Sequence, residues 1–273
     1  MVYADLHTHT TMSDGTYSPK GLVSLAALRG LKAIAITDHD TISGIEEARA
    51  VEDYYGVKVI SGVELSCEHM DSEVHLLGYF LESADEELKQ ILAIQRRRRI
   101  ARMEQMIDKM RNAGFSIQLE DVFRRAKGGV IGRPHLASEL LAKGYIDNLK
   151  TAYQKYIAPG RPFYVPPMRL ELSRAVSMLH NSGAVAILAH PVFLPSQVFR
   201  NIIENIHIDG IEVYYPEHSA SFQEMLLSIC MEKGLSITGG SDFHGERKAF
   251  DSFGKIGMSE KLFEDMIERY AGV

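Results

Sequence analysis

Short, unbroken apolar runs alternate along this chain with stretches whose apolar residues recur every three or four positions. Val2 to Leu6 and Ala33–Ile36 are the first two runs. Continuous apolar runs of this length suit strands buried on both faces. Segments 57–63, 73–80, 184–189, 210–214 and 235–238 complete a set of seven predicted strands. Between the first two, Ser18-Pro19 reads as an N-cap followed by proline in the first turn, and Leu22, Val23, Leu25, Ala26 and Leu28 carry a helix to Gly30. The same spacing predicts helices over 43–55, 172–181, 196–206, 218–233 and 258–270.

The alternation stops once. Residues 84–160 read as helical throughout, broken by turn signals at Gly114, Gly128-Gly129 and Gly144. Pro159-Gly160-Arg161-Pro162 and Pro166-Pro167 then punctuate the return to alternation. The expected organisation is one domain formed by residues 1–83 and 161–273, with a helical subdomain, 84–160, inserted into it.

Strands alternating with helices give a parallel sheet, either open and doubly wound or closed into a barrel. The polar residues choose between the two. His7, His9, Asp38, His39, Glu64, His190, Asp242 and His244 all fall at or just past the C-terminal ends of predicted strands. Only a barrel brings so many strand ends around one centre, on the face where barrel enzymes carry their sites. The expected fold is therefore α/β: an irregular (β/α)7 barrel with an inserted helical subdomain.

Composition adds bounds. The chain has 273 residues, is 45% hydrophobic and carries a net charge of −6 with a pI near 6.0. Such an acidic molecule is not built to coat long duplex nucleic acid. Cys67 and Cys230 stand far apart, so a disulfide framework is not expected. Neither a signal peptide nor an apolar run of membrane-spanning length is visible, which points to a cytoplasmic protein without a membrane partner.

Eleven histidines change the picture more. His7 and His9 are two residues apart, so an extended backbone turns both imidazoles to one face. With Asp14, His39, Glu64, His75, His190, Asp242 and His244 they make nine candidate ligands, all nitrogen or carboxylate and none thiolate. Taken singly, His75 reads as a core histidine, Glu64 as a salt-bridged carboxylate, His190-Pro191 as a turn and Asp242 as a cap. All of these readings would have to hold together at corresponding strand ends. The donor set suits zinc, manganese or iron. Nine ligands are too many for one ion, so two or three divalent ions are expected. Clustered ions suit phosphate-ester hydrolysis through a metal-activated hydroxide.

The stretches Asp5-Leu6-His7-Thr8-His9, Thr37-Asp38-His39-Asp40, Gly62-Val63-Glu64, Ala189-His190-Pro191 and Ser241-Asp242-Phe243-His244 resemble, in order, the motifs of the PHP (polymerase and histidinol phosphatase) family. The resemblance covers roughly residues 1–80 and 165–260 and implies a distorted seven-stranded barrel with a trinuclear metal site. It implies that His7, His9, Glu64 and Asp242 hold the ion at the reacting centre. A second ion would fall to Glu64, His75 and His190, and a third to Asp14, His39 and His244.

The insertion is expected to select the substrate. Gly132-Arg133-Pro134-His135 opens a predicted helix after a glycine loop, where Arg133 and His135 would clamp a phosphate. Family members with this pattern resemble nucleoside 3′,5′-bisphosphate phosphatases. Past the sixth strand, His218 would touch a phosphate, and Tyr214 or Tyr215 would stack on a base. On a helix, only one or two of Arg96–Arg99 can face a ligand. The expected activity is removal of the 3′-phosphate of a nucleoside 3′,5′-bisphosphate. The alternatives are 5′–3′ exoribonuclease action on short RNA, histidinol-phosphate hydrolysis and a non-catalytic metal-binding accessory role. An amide-hydrolysing barrel would typically bridge its metals with a carboxylated lysine, and Glu64 fills that position here.

Overall fold

The computed structural model describes residues 2–81, 86–247 and 250–270; the expected boundary at 83/84 lies outside them. The chain opens with β1 (Ala4–Asp5), α1 (Pro19–Leu28), β2 (Ala33–Ile36), α2 (Ile45–Arg49), α3 (Glu52–Tyr55), β3 (Lys58–His69) and β4 (Ser72–Tyr79). Helices α4 (Glu86–Asn112), α5 (Leu119–Ala126), α6 (Arg133–Ala142) and α7 (Leu149–Ala152) follow, the last running into a π-turn at Tyr153–Ile157. Then come β5 (Leu170–Glu171), α8 (Leu172–Asn181), β6 (Val185–Leu188), α9 (Ser196–Asn205), β7 (Gly210–Tyr214), α10 (Ala220–Lys233), β8 (Ser236–Gly239) and α11 (Glu260–Tyr270).

Seven strands lie in the order β1-β2-β3-β4-β6-β7-β8, and the short β5 pairs with the far end of β3. The path nearly closes. Leu6 N–H donates to Gly239 O at 3.1 Å, and Thr8 pairs with Phe243 in a parallel bridge. Alternation within the strands confirms an inside and an outside. Ala4, Ala33, Ala35, Ile60, Leu77 and Ile187 share one cluster with Phe263 and Met266 of α11, whereas Ile34, Ile36 and Val59 pack outward with Leu22, Val23 and Ile45. Within this cluster Ala4, Ala33 and Ala35 stand beside the larger Leu6, Ile60, Leu77, Tyr79 and Ile187, and α11 packs against it through Phe263 and Met266.

Two features depart from the expected pattern. β4 runs antiparallel to both β3 and β6. It joins β3 through Met70 and Asp71, both at positive φ (49° and 59°), a tight hairpin turn whose twist matches its strands. β3 therefore runs on to His69, and Glu64 lies within a long strand rather than at a strand end. It sits just beyond the part of β3 that pairs with β2, which ends at Ser61. The helix expected over 43–55 also divides, because Val51 leaves helical geometry (φ −125°, ψ 4°).

The helical stretch between β4 and β5 has its own apolar cluster, from Met103 and Met106 of α4 through Leu136 and Leu140 of α6 to Phe163 and Val165. The first turns of α4, with Leu88, Ile91 and Leu92, belong instead to the cluster around α8 and the outer barrel. Helix α4 thus ties both parts together, and Arg98, Arg99 and Arg102 in its middle face the mouth of the barrel.

Candidate active site

Glu64 is the hub of the barrel mouth. Its Oε2 lies 3.3 Å from His7 Nε2 and 3.1 Å from both His9 Nε2 and His39 Nδ1. Its Oε1 lies 2.7 Å from His75 Nδ1 and 3.1 Å from His190 Nε2. Asp242 Oδ1 approaches His9 Nε2 and His244 Nδ1, each at 3.3 Å, and Asp14 Oδ1 lies 3.2 Å from His244 Nε2. All nine candidate ligands therefore converge.

Their ligand atoms fall into three overlapping groups: His7, His9, Glu64 and Asp242; His39, Glu64 and His75; and His9, Asp14, His39 and His244. The first matches the set implied by the family resemblance. In the second, His39 stands beside Glu64 and His75, and His190 touches the outer oxygen of Glu64 instead of joining the group. In the third, His9 joins the implied residues.

Backbone geometry aims these side chains. His190 (φ 25°) and Asp242 (φ 54°) both occupy the left-handed region, a strain that persists only where surroundings enforce it. Glu212 on β7 enforces the first by accepting the His190 backbone N–H at 2.7 Å. Its other oxygen accepts from His7 Nδ1 at 2.9 Å, which turns His7 Nε2 toward Glu64. Tyr215 Oη donates to Asp242 Oδ2 at 3.0 Å. Asp5 accepts the backbone N–H groups of His7 and Ser241, joining first strand to last. Asp38 takes Thr10 N–H, Thr10 Oγ1 and Ser13 Oγ and so fixes the loop leading to Asp14. Gly240 is needed where β8 passes β1, since a Cβ there would fall 2.4 Å from His7 Cβ.

The electrostatics are those of a crowded ion site. Burial opposes ionisation of Glu64, yet His39, His75 and His7 around it hold it well below the usual carboxylate range. Burial disfavours charge on His9, but Asp242 and Glu64 outweigh it and raise the ring to about 9. His75 likewise rises to about 10 against Glu64 and Glu73, and burial pushes His39 down to about 3. His7 Nε2, His9 Nε2, His39 Nδ1, Glu64 Oε2 and His75 Nδ1 are buried and make no hydrogen bond among the described residues. Buried polar atoms without partners are costly, and so many facing one another fit divalent cations.

The cluster opens on a cleft of about 790 Å³, lined on one side by Arg133, Tyr153 and Lys150 of the helical insertion and on the other by Phe193, Leu194 and Pro195. A smaller chamber of about 140 Å³ adjoins it, lined by Arg98, Arg99, Arg102, Arg133 and Arg169 together with Asp40 and Glu73. Arg99 pairs with Asp40 at 2.6 Å and Arg169 with Glu73 at 2.6 Å. Arg102 Nη2 and Arg169 Nε are buried and make no hydrogen bond among the described residues. Burial, with Arg133 and Arg99 close by, lowers Arg102 to about 10.

Of the expected substrate contacts, only Arg133 lines the cleft. His135 is buried, and its Nδ1 accepts the Gly132 N–H at 3.1 Å, making it a helix cap. It lines a separate small hollow with Thr11 and Arg125. His218 is buried behind Tyr215, its Nδ1 on Val213 O at 2.8 Å. Tyr215 is buried beneath Asp242, and Tyr214 lines a different hollow with Val2 and Lys255. The sequence reading missed Arg102 and Arg169, which only the fold brings to the barrel mouth. It also missed Glu212, although an acidic residue inside an apolar strand was a visible signal.

A PHP domain profile matches residues 5–272. The 5′-3′ exoribonuclease Rnm of Escherichia coli K12 is 32% identical over 250 residues, spanning 89% of this chain and 85% of that protein. The 3′,5′-nucleoside bisphosphate phosphatase of Chromobacterium violaceum is 31% identical over 252 residues, spanning 89% and 88%. A crystal structure from Bifidobacterium adolescentis, described as a candidate metal-dependent phosphoesterase, matches with a TM-score of 0.90 and 28% identity over 98% of this chain and 96% of that one.

Proposed function

This chain belongs to the PHP domain family and is a metal-dependent phosphoesterase, and we propose that it removes the 3′-phosphate of a nucleoside 3′,5′-bisphosphate. The arginine chamber beside the metal cluster carries this reading. A cluster that hydrolyses a phosphoester needs no second cationic receptor for a substrate with one phosphate. Here Arg102 Nη2 and Arg169 Nε are buried donors with no hydrogen bond among the described residues, and Arg133 borders both spaces. The chamber holds roughly four or five water volumes, room for one phosphate group. Guanidinium forks match phosphate oxygens closely.

His7, His9, Glu64 and Asp242 form the first ion set and are the catalytic residues of the proposal. His39, Glu64 and His75, with His190 alongside, form the second, and His9, Asp14, His39 and His244 the third. When bound, divalent ions such as manganese, zinc or iron polarise a phosphoryl oxygen and activate water at neutral pH. The protein's own part is positional. Glu212 keeps His7 Nε2 turned inward. The arginines hold the non-reacting phosphate, so that the other lies against the cluster in one orientation.

Arg102→Ala tests the reading. In manganese-reconstituted protein, KM for adenosine 3′,5′-bisphosphate is expected to rise at least about tenfold relative to KM for adenosine 3′-monophosphate, the loss of one charge-assisted contact. Equal changes for both substrates would remove the chamber from the mechanism. The main cleft is larger than one nucleotide requires, which favours a second reading as well: 5′–3′ exoribonuclease action, the activity for which the E. coli relative is named, here on short RNA. Turnover that rises with chain length from dinucleotide to pentanucleotide would select that reading.

A further inference from the structure

Phe193 is unusual for where it lies, not merely for being exposed. Single apolar side chains on a surface are ordinary, but this ring is 54% exposed within the wall of the active-site cleft. It follows His190 on the short 3-10 turn Pro191–Phe193, which Leu194 N–H closes onto Pro191 O at 3.1 Å. Pro195 then stands at the N-cap of α9, so two prolines brace the segment. Two buried rings fix the side chain from its rim, His190 at 5.4 Å and 64° and Tyr215 at 5.9 Å and 86°. Edge-to-face contacts hold an aromatic ring while leaving a face uncovered. Phe193 borders the cleft but not the arginine chamber, whereas Arg133 and Tyr153 border both. The cleft thus has a cationic end, a metal cluster and an aromatic wall beside it.

We infer that Phe193 is the surface on which the substrate's base stacks. The inference rests on the nucleotide reading above and names the part of the substrate that the metals and arginines leave unread. With one phosphate at the cluster and the other among the arginines, the base is the remaining flat, apolar part of the molecule. Every base offers a π-face, so stacking on phenylalanine is tolerant of sequence. Leu194 and Pro195 beside it carry no side-chain hydrogen-bonding group, so the wall itself does not distinguish purine from pyrimidine by donors and acceptors.

The test compares adenosine 3′,5′-bisphosphate with its abasic analogue, 1-deoxyribose 3,5-bisphosphate, in manganese-reconstituted wild type, Phe193→Ala and Phe193→Trp. Wild type is expected to prefer the base-bearing substrate in kcat/KM by on the order of tenfold. Phe193→Ala reduces that preference to near unity through KM, and Phe193→Trp keeps it. Unchanged preference in Phe193→Ala, at equal manganese content, overturns the stacking role and leaves the bisphosphate reading standing. If wild type hydrolyses neither bisphosphate but turns over another phosphomonoester, the nucleotide reading falls and the inference falls with it.

Discussion

Glu212 shows how much of the site depends on residues that face no substrate. It is fully buried, and its two oxygens hold two different elements of the cluster, the His7 ring and the His190 backbone. Truncation frees His7 to turn and releases a backbone held in a strained conformation. Glu212→Ala is therefore expected to lower metal affinity roughly ten- to a hundredfold, with turnover recovering at high manganese. Metal titration followed by activity checks this, and an unchanged titration midpoint would show that His7 is aimed by other means. Most of the nine candidate ligands stood out because histidines and carboxylates past successive strand ends have no common structural excuse, although Glu64 and His75 proved to lie within strands. Glu212 was harder to read, since it is a lone polar residue in an otherwise apolar strand, and Asp38 and Tyr215 stood out in sequence without showing which loop or carboxylate each would hold. His135 and His218 misled for the converse reason. His135 followed a glycine loop and His218 the end of a strand, but burial turned each imidazole to a local backbone group.

Elements bring these residues together, and the least legible was the β3–β4 hairpin. Its turn is Met70-Asp71, with neither the asparagine nor the glycine that usually announces left-handed turn positions. Yet the antiparallel return is what carries His75 back to Glu64. Helix α4 was legible as a helix, but which of its arginines faced inward was not. Arg96 and Arg97 are exposed, while Arg98 and Arg99 border the chamber. Docking of the helical insertion onto the barrel depends on a close backbone approach. Val130 N–H donates to Met12 O at 2.8 Å, and a Cβ on Gly129 would fall 2.2 Å from Thr11 O. The neighbour is backbone in the loop that carries Asp14, so it cannot simply rotate away. Gly129→Ala is expected to cost about 1–3 kcal/mol, lowering Tm by roughly 2–12 °C at this chain length. Calorimetry and metal content together check the prediction. A full-strength Tm with full metal content would mean that the loops part without consequence.

At the scale of the whole molecule, an acidic chain of net charge −6 concentrates cations at one mouth, and in the metal-free protein protons must stand in for ions. His9 is raised to about 9 and His75 to about 10, and His7 also lies well above its ordinary value, because Glu64, Asp242, Glu212 and Glu73 outweigh the burial of these rings. At pH 7 the metal-free cluster therefore carries protons on imidazoles whose lone pairs an ion requires. Loading must expel them, about two or three at pH 7. The sign follows. A raised histidine stabilises the metal-free fold fully below its ordinary value of 6.5, and that contribution fades as pH climbs through about 9 for His9 and about 10 for His75. Metal affinity changes in the opposite direction, rising with pH over the same window as proton competition disappears. The gap in Tm between manganese-loaded and metal-free protein is thus expected to widen from pH 6.5 to pH 9. Calorimetric titration with manganese in two buffers of different ionisation enthalpy counts the released protons directly. A count near zero at pH 7 would mean that the imidazoles are already neutral and that the carboxylates, not protons, bear the strain of the metal-free cluster.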